Sequence, residues 1–248
     1  MIISLIWWQL LLRAAFFWDR MRIVMKAVIL AAGAGRRMLP LTSDTPKPLL
    51  KIRGKTVLDY VFDALPPEIN EVIVTVHYLG GEIKKYLGDF YRGKKISYVE
   101  GSDQGNAIGF LASKPYFVKG ERFFILHGDE PQRSEEITKC LQYQYAWVVS
   151  DVPEPRPTGR ALLGADGRIR EIAELSEDPA LSRWSAMGTM LVDTDIFEYE
   201  PTLHQGGEYR VASLMEQFIK THPVHAVIGK NRPPLTSLDD LNWEMGRE

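Results

Sequence analysis

The chain has 248 residues, enough to bury one substantial core, and carries a formal charge of -2 with charges of both signs mixed and no Lys/Arg block. That balance excludes the electrostatic footprint of a nucleic-acid binder and points to a small-molecule partner. Cys140 is the sole cysteine, which excludes an intrachain disulfide and a cysteine-based zinc site and suits a reducing, cytoplasmic setting.

The chain opens on MIISLIWWQLLLRAAFFWDR, with three of the six tryptophans. Gln9 and Arg13 interrupt it as a membrane span, which needs about 20 predominantly apolar residues. As a secretory signal it lacks a basic start and a small-residue cleavage site. Residues 1–24 are therefore read as an apolar extension outside the fold, a misplaced start or dispensable segment before Met25, with an amphipathic surface anchor as the alternative. Residues 25–248 are expected to form a single domain without a membrane partner.

From Lys26 onward strand-like runs alternate with helical patterns, the sequence form of βα units around a largely parallel sheet. Ala27–Leu30 reads as a buried first strand, and Lys55–Leu65 spaces Val57, Tyr60, Val61 and Leu65 on one helix face. Glu71–Val76 is a second strand, Gly80–Tyr91 a helix, and Lys95–Glu100 a third strand. A helix opens at Asn106 and is stopped by Pro115, and Arg122–Asp129 is a buried strand ending in an acid. Ligands of open α/β sheets sit outside the carboxyl ends of the strands, where the glycines after Leu30, Glu100 and Asp129 all fall. Beyond Asp129 the pattern loosens into strands joined by turns such as Ala165-Asp166-Gly167, expected to form a smaller β-rich lobe over that crevice. The five histidines have no metal-ligand spacing.

The first strand runs into Gly33-Ala34-Gly35, followed by Arg36-Arg37 and, ten residues on, Pro46-Lys47-Pro48. Glycines there let the backbone approach a ligand, so that N–H groups cradle phosphate oxygens; a tight turn is the plain alternative. A P-loop would need Gly-Lys-Ser/Thr, and a dinucleotide fingerprint a small residue at Met38; neither is present. Prolines on both sides are expected to hold Lys47 in an extended segment.

Ala31–Thr42 and Pro46–Leu49 closely match A-A-G-x-G-x-R-hydrophobic-x-P-L-T and P-K-P-L, and on them the chain resembles the sugar-1-phosphate nucleotidyltransferases. The similarity continues through Val74–Asp89, Gly105-Asn106-Ala107, His127-Gly128-Asp129 and Gly207–Met215, covering Met25 to about Leu241. The resemblance implies a Rossmann-like α/β fold, its mostly parallel sheet flanked by helices, with the β-rich lobe on the sugar side. It implies Mg²⁺, a nucleoside triphosphate and a sugar or polyol phosphate as partners, with pyrophosphate released; a homo-oligomer is left open. Residue by residue, it carries catalytic roles to Arg37, Lys47 and Asp129, with Asp129 also the metal ligand and Glu130 beside it as a candidate helper. Nucleotide contacts fall to Leu30, Ala31, Ala32, Gly33, Gly35, Glu100, Gly105 and Asn106, and sugar contacts to Gly159, Glu174 and Gly188.

The chain departs from that pattern at several places. Glu100 stands where a pyrimidine-reading glutamine is expected; a carboxylate only accepts hydrogen bonds, which favours guanine or cytosine, unless Glu100 is simply a solvated acid. Leu175 replaces the lysine of E-K-P, Ala186 the asparagine of N-A-G, and Pro234 the second metal aspartate before Thr236–Leu241. These losses keep two further readings open: a catalytically weakened nucleotide-sugar-binding or regulatory paralogue, and transfer to a cofactor precursor or phosphocholine.

Overall fold

The computed structural model describes residues 25–151, 158–176 and 182–230. In chain order the elements are β1 (Met25–Leu30), β2 (Lys51–Ile52), β3 (Lys55–Thr56), α1 (Val57–Ala64), β4 (Ile69–Val76), α2 (Gly80–Leu87), β5 (Phe90–Tyr91) and β6 (Lys94–Glu100). They are followed by α3 (Asn106–Leu111), β7 (Arg122–His127), α4 (Ser134–Cys140), β8 (Tyr145–Asp151), β9 (Thr158–Leu163), β10 (Ile169–Ser176), β11 (Trp184–Asp193), α5 (Val211–Thr221) and β12 (Val224–Gly229).

One sheet runs in the order β10-β9-β11-β7-β1-β4-β6-β5, with β8 paired to β11 and β12. β7, β1, β4 and β6 are mutually parallel, and β11 closes onto β7 antiparallel. β1 alternates its side chains between two cores: Ala27 and Ile29 pack with Leu58, Val61, Ile83 and Ile137 from α1, α2 and α4, whereas Val28 and Leu30 pack with Phe110, Leu214 and Phe218 from α3 and α5. A strand covered on both faces must be apolar throughout, which is why Ala27–Leu30 has no polar alternation. The β-rich second half extends this sheet rather than starting another.

The register fixes where a ligand can sit. Leu30 is level with Thr75 and with His127, and Val76 is level with Glu100, so four strand ends share one rim. The chain steps from β1 to β4 on one side and later to β7 on the other, so the rim at β1 is a topological switch point.

Local chemistry sets the boundaries. α1 begins at Val57 rather than Lys55 because Thr56 and Asp59 form a reciprocal capping box, leaving Lys55–Thr56 in a short hairpin with Lys51–Ile52. α2 stops at Leu87, short of the expected Tyr91, because Gly88 turns away at φ +60 and Phe90–Tyr91 pair back along β6. α5 is not among the elements expected above, although Val211, Leu214, Met215 and Phe218 repeat at helical spacing and are all buried.

Candidate active site

The turn after β1 is held by backbone and small side chains. The Ala31 N–H donates to both the carbonyl and Oγ1 of Thr75, each at 3.1 Å. Gly35 takes φ +60, and a Cβ there would lie 3.1 Å from both Lys47 Cβ and Thr42 Cγ2, so the loop folds back onto its own glycine. Thr42 Oγ1 donates to the Gly35 carbonyl at 3.0 Å, and Tyr78 OH donates to the carbonyls of Thr42 and Ser43 at 2.9 and 3.0 Å. Buried Met38 anchors a single 3-10 turn that leaves Arg36 and Arg37 exposed, while Gly33 has open space around it. Exposed guanidiniums beside an open glycine backbone suit a polyphosphate.

Lys47 is buried, and its Nζ lies 2.5 Å from Asp129 Oδ2. Pro46 is extended (ψ 141), but Lys47, expected to be extended, is not: it opens a 3-10 turn through Leu49, closed by the Leu49 N–H to the Pro46 carbonyl at 2.8 Å. That turn carries the ammonium inward to the end of β7. Desolvation pushes the Asp129 carboxyl up, but the charges of Lys47 and His127 and the Lys47 hydrogen bond outweigh it, leaving its pKa below the ordinary value.

Beside this pair, His127 Nδ1 lies 3.4 Å from Glu130 Oε1. Desolvation disfavours the charged ring, but the hydrogen bond and charge of Glu130, with Asp129, raise the His127 pKa above its ordinary value. Glu130 Oε2 accepts the Gly188 N–H at 3.2 Å, so Glu130 links β7 to β11. A Cβ on Gly188 would sit 2.4 Å from His127 Cγ, so this strand must carry glycine to pass the ring. β11 is irregular between Ala186 and Met190, and its residues from Trp184 to Ala186 pair with β8 and β9 beyond the last β7 partner, Leu126 opposite Thr189. This overhang places Gly188 at the rim; Gly159, on β9, precedes Arg160, which pairs with Ser185 of β11, and Glu174 is on β10, with its side chain outside the described residues, as is that of Leu175. Pro234 and Thr236–Leu241 also lie outside the described residues.

On the other flank of β1, Glu100 Oε1 lies 3.0 Å from His77 Nδ1. Gly101 packs so closely that a Cβ would lie 2.4 Å from Ala32 Cβ. Gly105, at φ +128, lies against Tyr209, where a Cβ would come within 2.2 Å of the Tyr209 carbonyl oxygen. Asn106 has a further task that spacing did not reveal: its Oδ1 accepts the Val211 N–H at 2.8 Å and caps α5 across 105 residues of sequence. Leu30, Ala31, Ala32, Gly33, Gly35, Arg37, Lys47, Glu100 and Asp129 thus gather on one rim, with Gly188 facing them across His127.

Asp129 suits a hard divalent cation as one ligand: its oxygens are the only carboxylate atoms described here at the Lys47 end of β7 that are not turned toward Gly188 and His127, as those of Glu130 are. Asp193, Asp195 and His222 also bring ligand atoms within 4.8 Å of one another. They belong to the opposite end of the sheet, since Asp193 pairs with Arg122 at the start of β7, and Asp193 already accepts from Tyr145 OH at 2.5 Å and from the Asp195 N–H at 3.0 Å.

The sequence pattern of the family described as Nucleotidyl transferase matches residues 26–232. The chain belongs to that family. It is 29% identical over 206 residues to a bifunctional GlmU protein of Methanocaldococcus jannaschii, covering 82% of this chain and 49% of that protein. It thus spans about half the length of such relatives. A D-glycero-alpha-D-manno-heptose 1-phosphate guanylyltransferase of Campylobacter jejuni is 36% identical over 106 residues, 42% of this chain and 48% of that protein. Among solved structures, a UDP-glucose pyrophosphorylase complexed with UDP-glucose superposes with a TM-score of 0.74 at 18% identity, covering 90% of this chain and 97% of that one, a likeness of fold. No helix among the described residues is long and apolar enough to cross a membrane.

Proposed function

We propose that this chain transfers a nucleoside monophosphate from a nucleoside triphosphate to a sugar or polyol phosphate, forming a nucleotide sugar and releasing pyrophosphate. An oxygen of the acceptor phosphate forms a bond to the α-phosphorus as the bond from that phosphorus to the β-phosphate bridging oxygen breaks in line. Two anions must meet, so positioned cations do most of the work. Arg37 grips the triphosphate through its fork of donors, and the N–H groups of the Gly33–Gly35 turn line its other side. Lys47 has one of its three donors on Asp129 and keeps the others for a phosphate oxygen. Asp129 would hold Mg²⁺, which would supply Lewis-acid neutralisation of the phosphates. No general base is needed, because the acceptor phosphate is already ionised.

The observation that carries this reading is the Lys47–Asp129 pair at 2.5 Å, seated where the β1 glycine turn and the end of β7 converge. The acceptor lies under the β11 overhang, near Gly159, Glu174 and Gly188, and the base beside Glu100, which favours guanine or cytosine; the guanylyltransferase relative supports the former. A cytoplasmic setting completes the reading, supported by a single buried cysteine. The test is pyrophosphate release with Mg²⁺ across the four ribonucleoside triphosphates and dTTP against sugar and polyol phosphates. Turnover with at least one pair is expected. Binding of nucleotide or nucleotide sugar with no turnover for any pair would instead select the weakened, regulatory paralogue that Leu175 and Pro234 favour.

A further inference from the structure

Glu100 closes β6 level with Val76, and the next residue, Gly101, donates its N–H to the Val76 carbonyl at 2.8 Å. Gly101 also lies against Ala32, and α3 approaches so closely that a Cβ on Gly109 would lie 2.9 Å from Gly101 Cα. Ala32 and Gly109 therefore both pack against Gly101, and the phosphate turn meets the end of β6 through small residues. A nucleotide whose phosphates rest on Gly33–Gly35 has its base along this edge, with the Glu100 carboxylate, 68% exposed, at its border.

Only a donor-bearing base edge matches a carboxylate, and the bases differ in how many adjacent donors they offer. Guanine presents N1–H and N2–H₂ side by side, one for each carboxylate oxygen. Cytosine presents N4–H₂ next to the N3 acceptor, adenine N6–H₂ next to the N1 acceptor, and uracil one N–H between two carbonyls; each sets a lone pair against the second oxygen.

Bidentate reading requires a carboxylate with a fixed orientation, and an exposed glutamate on its own samples several rotamers. His77 supplies the fixing contact. Glu100 can only accept, so His77 Nδ1 carries the proton and donates to Oε1 across 3.0 Å. Oε1 keeps a second lone pair for the base, and Oε2 stays available. An exposed pair of this kind adds little to folding stability, so its effect is orientation.

We infer that the nucleotide is a guanosine triphosphate whose N1–H and 2-amino group are read by the two oxygens of Glu100, with His77 as the positioning residue that aims them. The inference rests on the nucleotide placement proposed above. The experiment is calorimetric binding of GTP, ITP, CTP and UTP to the full chain with Mg²⁺; ITP differs from GTP only in lacking the 2-amino group. GTP is expected to bind about tenfold or more tightly than ITP and CTP, the discrimination typical of a good bidentate pair. Glu100→Gln removes most of that preference. His77→Phe, without a donor, lowers the GTP-to-ITP ratio severalfold, and His77→Asn, whose amide can donate from the same side, restores it. Equal affinity for GTP and ITP, or a preference for CTP or UTP, overturns the guanine assignment and leaves nucleotidyl transfer standing. Failure of every triphosphate to bind overturns the nucleotide placement itself. An unchanged ratio in His77→Phe removes the role of His77.

Discussion

Around Asp59, in the first turn of α1, donors converge from three segments: the Thr56 N–H at 2.8 Å, Tyr86 OH at 3.0 Å, the Tyr91 hydroxyl, and Arg92 at 2.9 Å. Around Asp129, just past β7, Lys47 at 2.5 Å is the one side-chain donor among the described residues, and the Asp129 side chain is 39% exposed against 9% for Asp59. Burial alone would raise the Asp59 pKa, and the hydrogen bonds of Tyr91, Thr56 and Tyr86 bring it down to about 2. Burial raises the Asp129 pKa too, and it is lowered overall mainly by the charges of one lysine and a neighbouring imidazole. One carboxylate is saturated and spends its lone pairs on the fold. The other keeps acceptor capacity facing a rim lined with cations, which is what a metal or phosphate site needs.

This contrast is broken if Asp129 proves structural. Asp129→Asn keeps the shape and removes the charge, so turnover is expected to fall by about 10²- to 10³-fold, the scale for deleting one preorganised electrostatic contact. The melting temperature should move by only a few degrees, since one partly exposed pair is lost. A variant that unfolds without losing specific activity in its folded fraction would refute the assignment. Arg37→Lys comes next: it retains the charge and loses the fork, with an expected loss of about 10- to 100-fold in kcat/KM for the nucleotide and little change in stability, measured by steady-state kinetics and thermal melting.

The side of the rim around β1 and β6 is largely legible in the sequence because its parts are backbone devices. Gly35, Gly101 and Gly105 are spelled as letters where the chain must turn or come close, and β1, β4 and β7 carry apolar runs whose ends fall level with one another and with the end of β6. The side at β11 is less legible, since Gly188, His127 and Glu130 meet only through the antiparallel pairing of β11 with β7, a contact that no spacing encodes. Local rules misled at Lys47, where Pro48 argued for an extended residue and the pull of Asp129 with a 3-10 hydrogen bond won instead. The Asp59 cluster left only its capping box in the sequence; Tyr86, Tyr91 and Arg92 arrive by tertiary folding.

Asp59 sharpens the comparison from the structural side. Asp59→Ala leaves the Tyr91 and Tyr86 hydroxyls without their carboxylate acceptor, leaves Arg92 with Asp63 alone and uncaps α1, so a loss of about 2–3 kcal/mol in urea unfolding is expected, with kcat unchanged in the folded protein. The sign of the pH effect follows from its depressed pKa. The folded state holds the proton less tightly than the unfolded chain, so this stabilisation is complete above the ordinary value near 4 and fades as pH falls toward about 2. The gap in stability between wild type and variant should therefore narrow on acidification through that window. A gap that widened would contradict the network.

The smallest effect tests whether the same rule sorts a residue that lies between the two classes. Asn106 belongs to the nucleotide motif, yet its Oδ1 is committed to the Val211 N–H at 2.8 Å, which marks it as a helix cap. Asn106→Ala should cost about 1 kcal/mol, seen as a melting-temperature drop of about 2–4 °C in a chain of this size. Asn106→Asp keeps an acceptor at the cap, with a negative charge favoured at a helix N-terminus, and should restore that loss. The amide nitrogen takes no part in the cap, so it is the part of the side chain left to a nucleotide. If Asn106→Asp melts like wild type and binds nucleotide more weakly, the residue serves both roles. If both properties are preserved, Asn106 belongs with Asp59, and the turn at Gly105 touches its ligand through backbone alone.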